Sequence, residues 1–224
     1  MFLTADKVCK TYGRKEVLHS ISFQINEGSV LGLVGRNGSG KTVLLKCISG
    51  LVAPTSGQIV YRGRTVGKEI EMPEDMGILI ESPGFLAQYD GLTNLSLFMG
   101  IRRRPDKEYL RGLMKKVGLD PDNKTKAGRY SLGMKQRLGL AMALMDEPKL
   151  LLLDEPMNGL DIHGVREMRE LLISLRRKGV SMILASHIIG DIKTLCDQVL
   201  YLEGGRSLPP GDETRKMLEG GLGV

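Results

Sequence analysis

The spacing of apolar residues along this chain changes period several times, and each change predicts a change of element. Residues 2–34 read as strands. Within them Ser20-Ile21-Ser22-Phe23-Gln24-Ile25 alternates with period two, as a half-buried strand does. Asn26-Glu27-Gly28 is a turn, and Val30–Val34 is an unbroken apolar run that reads as a buried strand. A helical stretch follows over 43–49. Short apolar runs at 58–61 and 76–80 predict two more strands. From residue 83 the period lengthens. Thr93 opens a helix through Phe98, and Pro105-Asp106 opens another that places Leu110, Leu113, Met114 and Val117 on one face. Ser131 starts a longer helix to Met145, with Leu138, Met142 and Met145 forming a core stripe. Beyond it strands and helices alternate. Leu150-Leu151-Leu152-Leu153 is short and wholly apolar, hence a buried strand. Asp161 caps a helix that Gly179 ends, Ser181–Ala185 is a strand, 188–195 a helix and 198–202 a strand. The expectation is a single α/β domain over 1–224. Residues 1–82 and 147–224 form its core, and 83–146 form an inserted helical subdomain. The Gly-rich tail over 220–224 is expected to be mobile.

Between the strand at Val30–Val34 and the helix after it lies Gly35-Arg36-Asn37-Gly38-Ser39-Gly40-Lys41-Thr42. Gly, four residues, then Gly-Lys-Thr in a strand–loop–helix context marks a phosphate-binding loop. The glycines let consecutive N–H groups turn inward as an anion nest, and the helix N-terminus adds about half a positive charge. Lys41 supplies a full charge at the terminal phosphates, and the Thr42 hydroxyl can ligate Mg²⁺. A dinucleotide fingerprint does not fit. It would need Gly at 43, where Val43 stands, and an acidic residue near 58, where Gln58 stands.

Composition narrows the classes. The 224 residues are 42% hydrophobic and 26% charged, as in an ordinary soluble protein. Aromatics make up 4% and Trp is absent, which argues against a base-stacking surface. Net charge is +6, with clusters at Arg102-Arg103-Arg104, Lys115-Lys116 and Arg176-Arg177-Lys178. These lie on helical stretches without interleaved aromatics, so they read as solvated faces and not as a nucleic-acid footprint. Three scattered cysteines and no Cys-x-x-Cys suit a reducing, cytoplasmic setting. His19, His163 and His187 have no metal-ligand spacing. No apolar run is long enough to span a bilayer, and Met1-Phe2-Leu3-Thr4-Ala5-Asp6 lacks a signal-peptide pattern.

Two further segments carry chemistry. Asp154 and Glu155 end the Leu strand, where a carboxylate is held rigidly. Asp154 is expected to hold Mg²⁺ with Thr42, and Glu155 to orient or deprotonate a water. Tyr130-Ser131-Leu132-Gly133-Met134-Lys135-Gln136 puts Ser and Gly at a helix start. Plain capping and a second anion site explain it equally well.

Taken with Tyr12, Asn158-Gly159-Leu160-Asp161 and Ser186-His187, these motifs give the chain a resemblance over its whole length to the ATP-binding subunit of ABC transporters. The resemblance implies a phosphate-loop ATPase core with N-terminal antiparallel strands and an inserted α-helical subdomain. It implies a homodimer of two such subunits facing head to tail, with ATP and Mg²⁺ between them. In that picture Gly35, Asn37, Gly38, Ser39, Gly40, Lys41 and Thr42 hold the phosphates and Tyr12 stacks on adenine. Ser131 and Gly133 bind the partner's nucleotide, which decides between the two readings above. Glu155 is the general base, His187 contacts the γ-phosphate and Asp161 communicates across the dimer. Where most members carry Gln after the 76–80 strand this chain has Glu81, expected at the metal and the water. That variant is similar to the bacitracin-resistance and lantibiotic-immunity exporters. The implied partners are a second ATPase subunit and separate membrane-spanning permease subunits, with no nucleic acid, at the inner face of the cell membrane. A soluble ABC ATPase, such as one serving cluster assembly, is the other reading.

Overall fold

A computed structural model describes residues 1–81 and 84–208. Strands β1 (Leu3–Tyr12) and β2 (Lys15–Ile25) form an antiparallel hairpin, and β4 (Ser56–Tyr61) pairs with the other edge of β1. The two-residue strand β5 (Arg64–Thr65) completes this sheet, in the order β2-β1-β4-β5. Its hairpin turns on Arg62-Gly63, both at positive φ, the geometry of a type I′ turn. The second sheet has the order β10-β9-β3-β8-β7-β6. Strands β9 (Gln198–Glu203), β3 (Val30–Val34), β8 (Ser181–Ala185), β7 (Leu150–Asp154) and β6 (Met76–Leu79) are parallel. The edge strand β10 (Arg206–Leu208) turns back on β9.

Every residue of β7 and of β8 is buried, so both faces of the sheet are covered and alternation is not required. Leu150 and Leu152 pack on one face with Leu44, Leu45 and Ile48 of α1 (Lys41–Ser49) and with the antiparallel sheet. Leu151 and Leu153 pack on the other face with Leu138 and Leu144 of α4 (Leu132–Leu144). Full burial of a Leu contributes about 1.5–3 kcal/mol, so these four residues alone bind three layers together. The same second cluster continues into α2 (Gly91–Gly100) through Leu95 and Met99, and into α3 (Lys107–Lys116) through Leu110 and Met114. Helices α5 (Ile162–Arg177) and α6 (Ile189–Leu195) complete that face through Met168, Leu172, Ile192 and Leu195. At Gly77 of β6 a Cβ would lie 2.1 Å from the Ala143 carbonyl oxygen, so only glycine lets α4 approach this closely.

Several expectations need correction. The first helix of the inserted region is capped by Asp90, not by Thr93. The Asp90 carboxylate accepts from the Thr93 N–H at 2.8 Å, so Thr93 is the third residue of the helix and not its cap. Strand β6 ends one residue early, at Leu79. A single 3-10 turn, Ala127–Arg129, interrupts the stretch expected to be loop before Ser131. Strand β10 follows Gly204-Gly205, a positive-φ pair that is a hairpin signal in its own right. The tail over 220–224 lies outside the described residues.

The three cysteines differ in setting. Burial pushes the Cys47 thiol up to about 11 and the Cys196 thiol up to about 12. At pH 8 a thiol near 11 is about one part in a thousand thiolate. Alkylation of the native protein at pH 8 is therefore expected at Cys9 alone, with Cys47 and Cys196 labelled only in denaturant. Peptide mapping after labelling checks this, and rapid native labelling of Cys196 would contradict it.

Candidate functional site

The parallel register brings the carboxyl ends of β3, β7, β8 and β6 to one edge of the sheet. A cleft of about 610 Å³ opens there, lined among others by Asn37, Gly38, Ser39, Gly40, Lys41 and Thr42. A larger cavity of about 860 Å³ lies elsewhere, beside Tyr61 and Arg62, and none of the motif residues lines it.

The phosphate-binding loop is shaped by its glycines. Gly40 has φ +104° at the N-terminus of α1, and a Cβ there would lie 2.8 Å from Leu18 Cδ2. At Gly35 a Cβ would lie 2.2 Å from the Leu202 carbonyl oxygen. The loop is also braced from behind. Gly205 donates its N–H to the Ser39 carbonyl at 3.1 Å, and its own carbonyl accepts from His19 N–H at 2.8 Å. Inside the loop the buried Lys41 ammonium donates to the carbonyls of Gly35, at 2.6 Å, and Arg36, at 3.2 Å. The Ser39 hydroxyl is buried and has no hydrogen-bond partner. A cradle of glycine backbone, a lysine and an unpaired hydroxyl fits a polyphosphate.

Thr42 donates to Asp154 Oδ2 at 2.6 Å. This places one hydroxyl and one carboxylate oxygen where a hard cation would be gripped between them. Among the described residues no group of three or more His, Cys, Asp or Glu is arranged to hold a metal. Two protein oxygens fit Mg²⁺, which keeps waters and draws further ligands from substrate phosphates. Burial is the main cause that pushes the Asp154 carboxyl above its ordinary range. The Thr42 hydrogen bond and Lys41 oppose this, and the charges of Glu155 and Glu81 add to it.

One residue on, Glu155 sits at φ +49°, a left-handed conformation uncommon for a non-glycine residue. Its N–H is held by the Ala185 carbonyl at 2.9 Å. Its Oε2 meets His187 Nδ1 at 2.8 Å, while its Oε1 is buried without a partner. With Glu155 ionised, Nδ1 carries the proton of that contact. The structure thus joins two residues, 155 and 187, that the sequence placed on separate strand ends. Glu155 lines the cleft, and His187 stands behind it, 57% exposed.

The remaining predicted residues are more dispersed. Glu81 lines the cleft at φ +58°, but its Oε1 is paired with Lys46 Nζ of α1 at 2.8 Å and makes no hydrogen bond to Thr42 or Asp154. Here Lys46, one turn along α1, engages its carboxylate. Tyr12 is 47% exposed at the end of β1, with Lys10 Nζ 4.9 Å above one face of its ring, and does not line the cleft. Ser131 caps α4 by accepting from Met134 N–H at 3.2 Å. Gly133 packs against the Gly159 carbonyl. Neither lines this chain's own cleft, although Leu132 and Gln136 beside them do. Asp161 caps α5, accepting from Gly164 N–H at 2.7 Å.

Sequence reasoning missed four contributors. Lys15 and Val17 of β2 line the cleft through strand pairing, which no motif encodes. Gly205 braces the loop. Gln136 donates from Nε2 to the Glu155 carbonyl at 3.3 Å, with Oε1 buried and unpaired. A glutamine among the otherwise apolar buried positions of α4 was the available signal.

Comparison with known proteins agrees with this geometry. The family model described as ABC transporter matches residues 18–158. The chain is 36% identical to the lantibiotic transport ATP-binding protein SrtF of Streptococcus pyogenes, over 88% of this chain and 85% of that one. It is 38% identical to the bacitracin transport ATP-binding protein BcrA of Bacillus licheniformis, over 92% and 69%. Among solved structures, cbiO1 from Clostridium perfringens, part of the cbiONQ ABC transporter complex, superposes with TM-score 0.82 at 27% identity, over 99% and 92%. The dimeric cassette MJ0796 shares the fold, with TM-score 0.84 at 22% identity, over 93% and 97%.

Because burial disfavours the Asp154 charge, that charge opposes folding at any pH above the ordinary carboxylate range. Asp154→Asn is therefore expected to raise the melting temperature of the nucleotide-free chain at pH 7 by about 2–4 °C per kcal/mol relieved. The gain should vanish as pH falls into the ordinary carboxylate range, where the unfolded chain is protonated too. Calorimetry at pH 7 and pH 4 checks this. A lower melting temperature at pH 7 would mean the Thr42 bond outweighs burial.

Proposed function

We propose, from the premise that the chain belongs to the ABC transporter family, that it powers a separate membrane permease in the export of an antimicrobial peptide or comparable compound. As a member of that family it is an ATP-binding subunit and an ATPase. The exporter reading rests on relatives named for lantibiotic and bacitracin transport, together with Glu81 at the position after β6. Among the described residues no helix is long and apolar enough to cross a membrane, so the membrane path is assigned to the permease.

The observation that carries the reaction is the contact of His187 with Glu155, which lines the phosphate cleft. Lys41 and the loop N–H groups hold the β- and γ-phosphates. Bound Mg²⁺, held by Thr42 and Asp154, would neutralise charge on the phosphates. Glu155 Oε1, buried and unpaired, accepts a proton from the attacking water or orients it. His187 fixes the other oxygen of the same carboxylate, so the carboxylate cannot rotate away from the cleft. Tyr12 stacks on adenine with its face opposite Lys10, a contact worth about 1–3 kcal/mol.

Ser131 and Gly133 lie outside this chain's own cleft, and on this reading they complete the site of a second copy placed head to tail. Asp161, at the same surface, carries the dimer contact. ATP closes the pair and hydrolysis reopens it, a switch biased by the γ-phosphate. Residues 1–224 act as a single ATPase domain, and the helical subdomain over 83–146 passes the motion to the permease at the inner membrane face.

Glu155→Gln should lower ATP turnover by about 10²–10⁴-fold while leaving an ATP-stabilised dimer visible by gel filtration with light scattering. Wild-type turnover in this variant would remove Glu155 as the base. Lys41→Ala should lose tight binding of a fluorescent ATP analogue, whereas unchanged affinity would refute the phosphate role of the loop.

A further inference from the structure

The hydrolytic reading uses His187 but leaves unexplained a fully buried acid four residues later. Asp191 of α6 has no exposed surface, and the carboxylate reaches two groups on different elements. Its Oδ1 accepts from Arg169 of α5, at 2.8 Å from Nε and 2.6 Å from Nη2. Its Oδ2 accepts from the Ser186 hydroxyl at 3.3 Å. Gly190 leaves room for the guanidinium, since a Cβ there would lie 3.3 Å from Arg169 Nη2.

Ser186 is the residue before His187, and it is itself buried. Its N–H donates to the Leu33 carbonyl of β3 at 3.2 Å. Its hydroxyl oxygen accepts from the Ile188 N–H at 3.0 Å, closing a short loop around His187. A serine hydroxyl has one proton and two lone pairs. When the proton goes to Asp191, a lone pair is turned toward Ile188. Remove the carboxylate and the hydroxyl is free to rotate, and the loop around His187 loses its orientation. His187 needs this support. Its ring is 57% exposed, and among the described residues Glu155 Oε2 is its one side-chain hydrogen-bond partner.

We infer that Asp191, fixed by Arg169, is a positioning residue that sets the Ser186 hydroxyl and through it holds His187 against Glu155. The inference rests on the hydrolytic reading of Glu155 and His187. It also ties His187 to α5, the helix that Asp161 caps, through the Arg169–Asp191 ion pair at the middle of that helix.

Asp191→Asn keeps the shape and removes the charge. Ser186→Ala removes the hydroxyl, and Ser186→Thr retains it. The first two should lower kcat by about tenfold, less than a full 1 Å misplacement costs, with affinity for a fluorescent ATP analogue within about twofold of wild type. Ser186→Thr should keep most of the wild-type kcat. The chain has three histidines, so the His187 imidazole resonance can be assigned with a His187→Ala control. It should move in Asp191→Asn and Ser186→Ala, which a merely structural role for Asp191 would not produce. An unmoved His187 resonance with wild-type kcat in both variants overturns the proposal. So does a kcat loss matched by an equal loss of ATP affinity. If Asp191→Asn does not fold, Ser186→Ala alone decides. If the wild-type protein hydrolyses no ATP, the functional reading fails, while the resonance still reports on positioning.

Discussion

Parallel pairing of β3, β8, β7 and β6 is the constraint on which everything else in this molecule depends. Parallel strands all point one way, so their carboxyl ends share an edge, and ligands gather there. Here that edge receives the phosphate loop from β3, Asp154 and Glu155 from β7, Ser186-His187 from β8, and Glu81 after β6. The pairing is held by burial on both faces. Leu150 and Leu152 lock the sheet to α1 and the antiparallel sheet, while Leu151 and Leu153 lock it to α4. A chain with half-polar strands could not be covered on both faces, and the four ends would not be brought together.

The site works against stability where it works for chemistry. Asp154 is buried at a cost to its charge, and Glu155 and Glu81 sit in left-handed conformations. Strain of this kind, about 1–3 kcal/mol each, persists only when the surroundings over-determine it. The surroundings do so here with specific bonds. Ala185 O holds the Glu155 N–H, Gln136 reaches its carbonyl, and His187 takes one carboxylate oxygen. Lys46 holds Glu81 by an ion pair open to solvent, which is worth about 0–1 kcal/mol and is readily exchanged.

What was legible in the sequence was local. The phosphate loop, the all-Leu strand, Ser131 as a cap and Gly179 as a helix stop each carry their physics within a few residues, and the structure places each of those elements there. Asp90 displaced Thr93 as a cap because both types can serve and only backbone geometry chooses between them. What stayed hidden was pairwise and distant. Nothing near Lys46 announces Glu81, and nothing near Asp191 announces Ser186 or Arg169, because those contacts exist only once the strands are in register.

The turn at Gly204-Gly205 has a consequence for how the molecule is made. The phosphate loop ends at Thr42, yet its Ser39 carbonyl is gripped by Gly205. During synthesis the loop emerges early and waits, through more than half the chain, for the residue that backs it. A ribosome-bound chain that stops before Gly205 carries Ser39, Lys41 and Thr42 but not the N–H that braces the Ser39 carbonyl. The backbone frame behind the loop is thus complete only once the turn between β9 and β10 is in place.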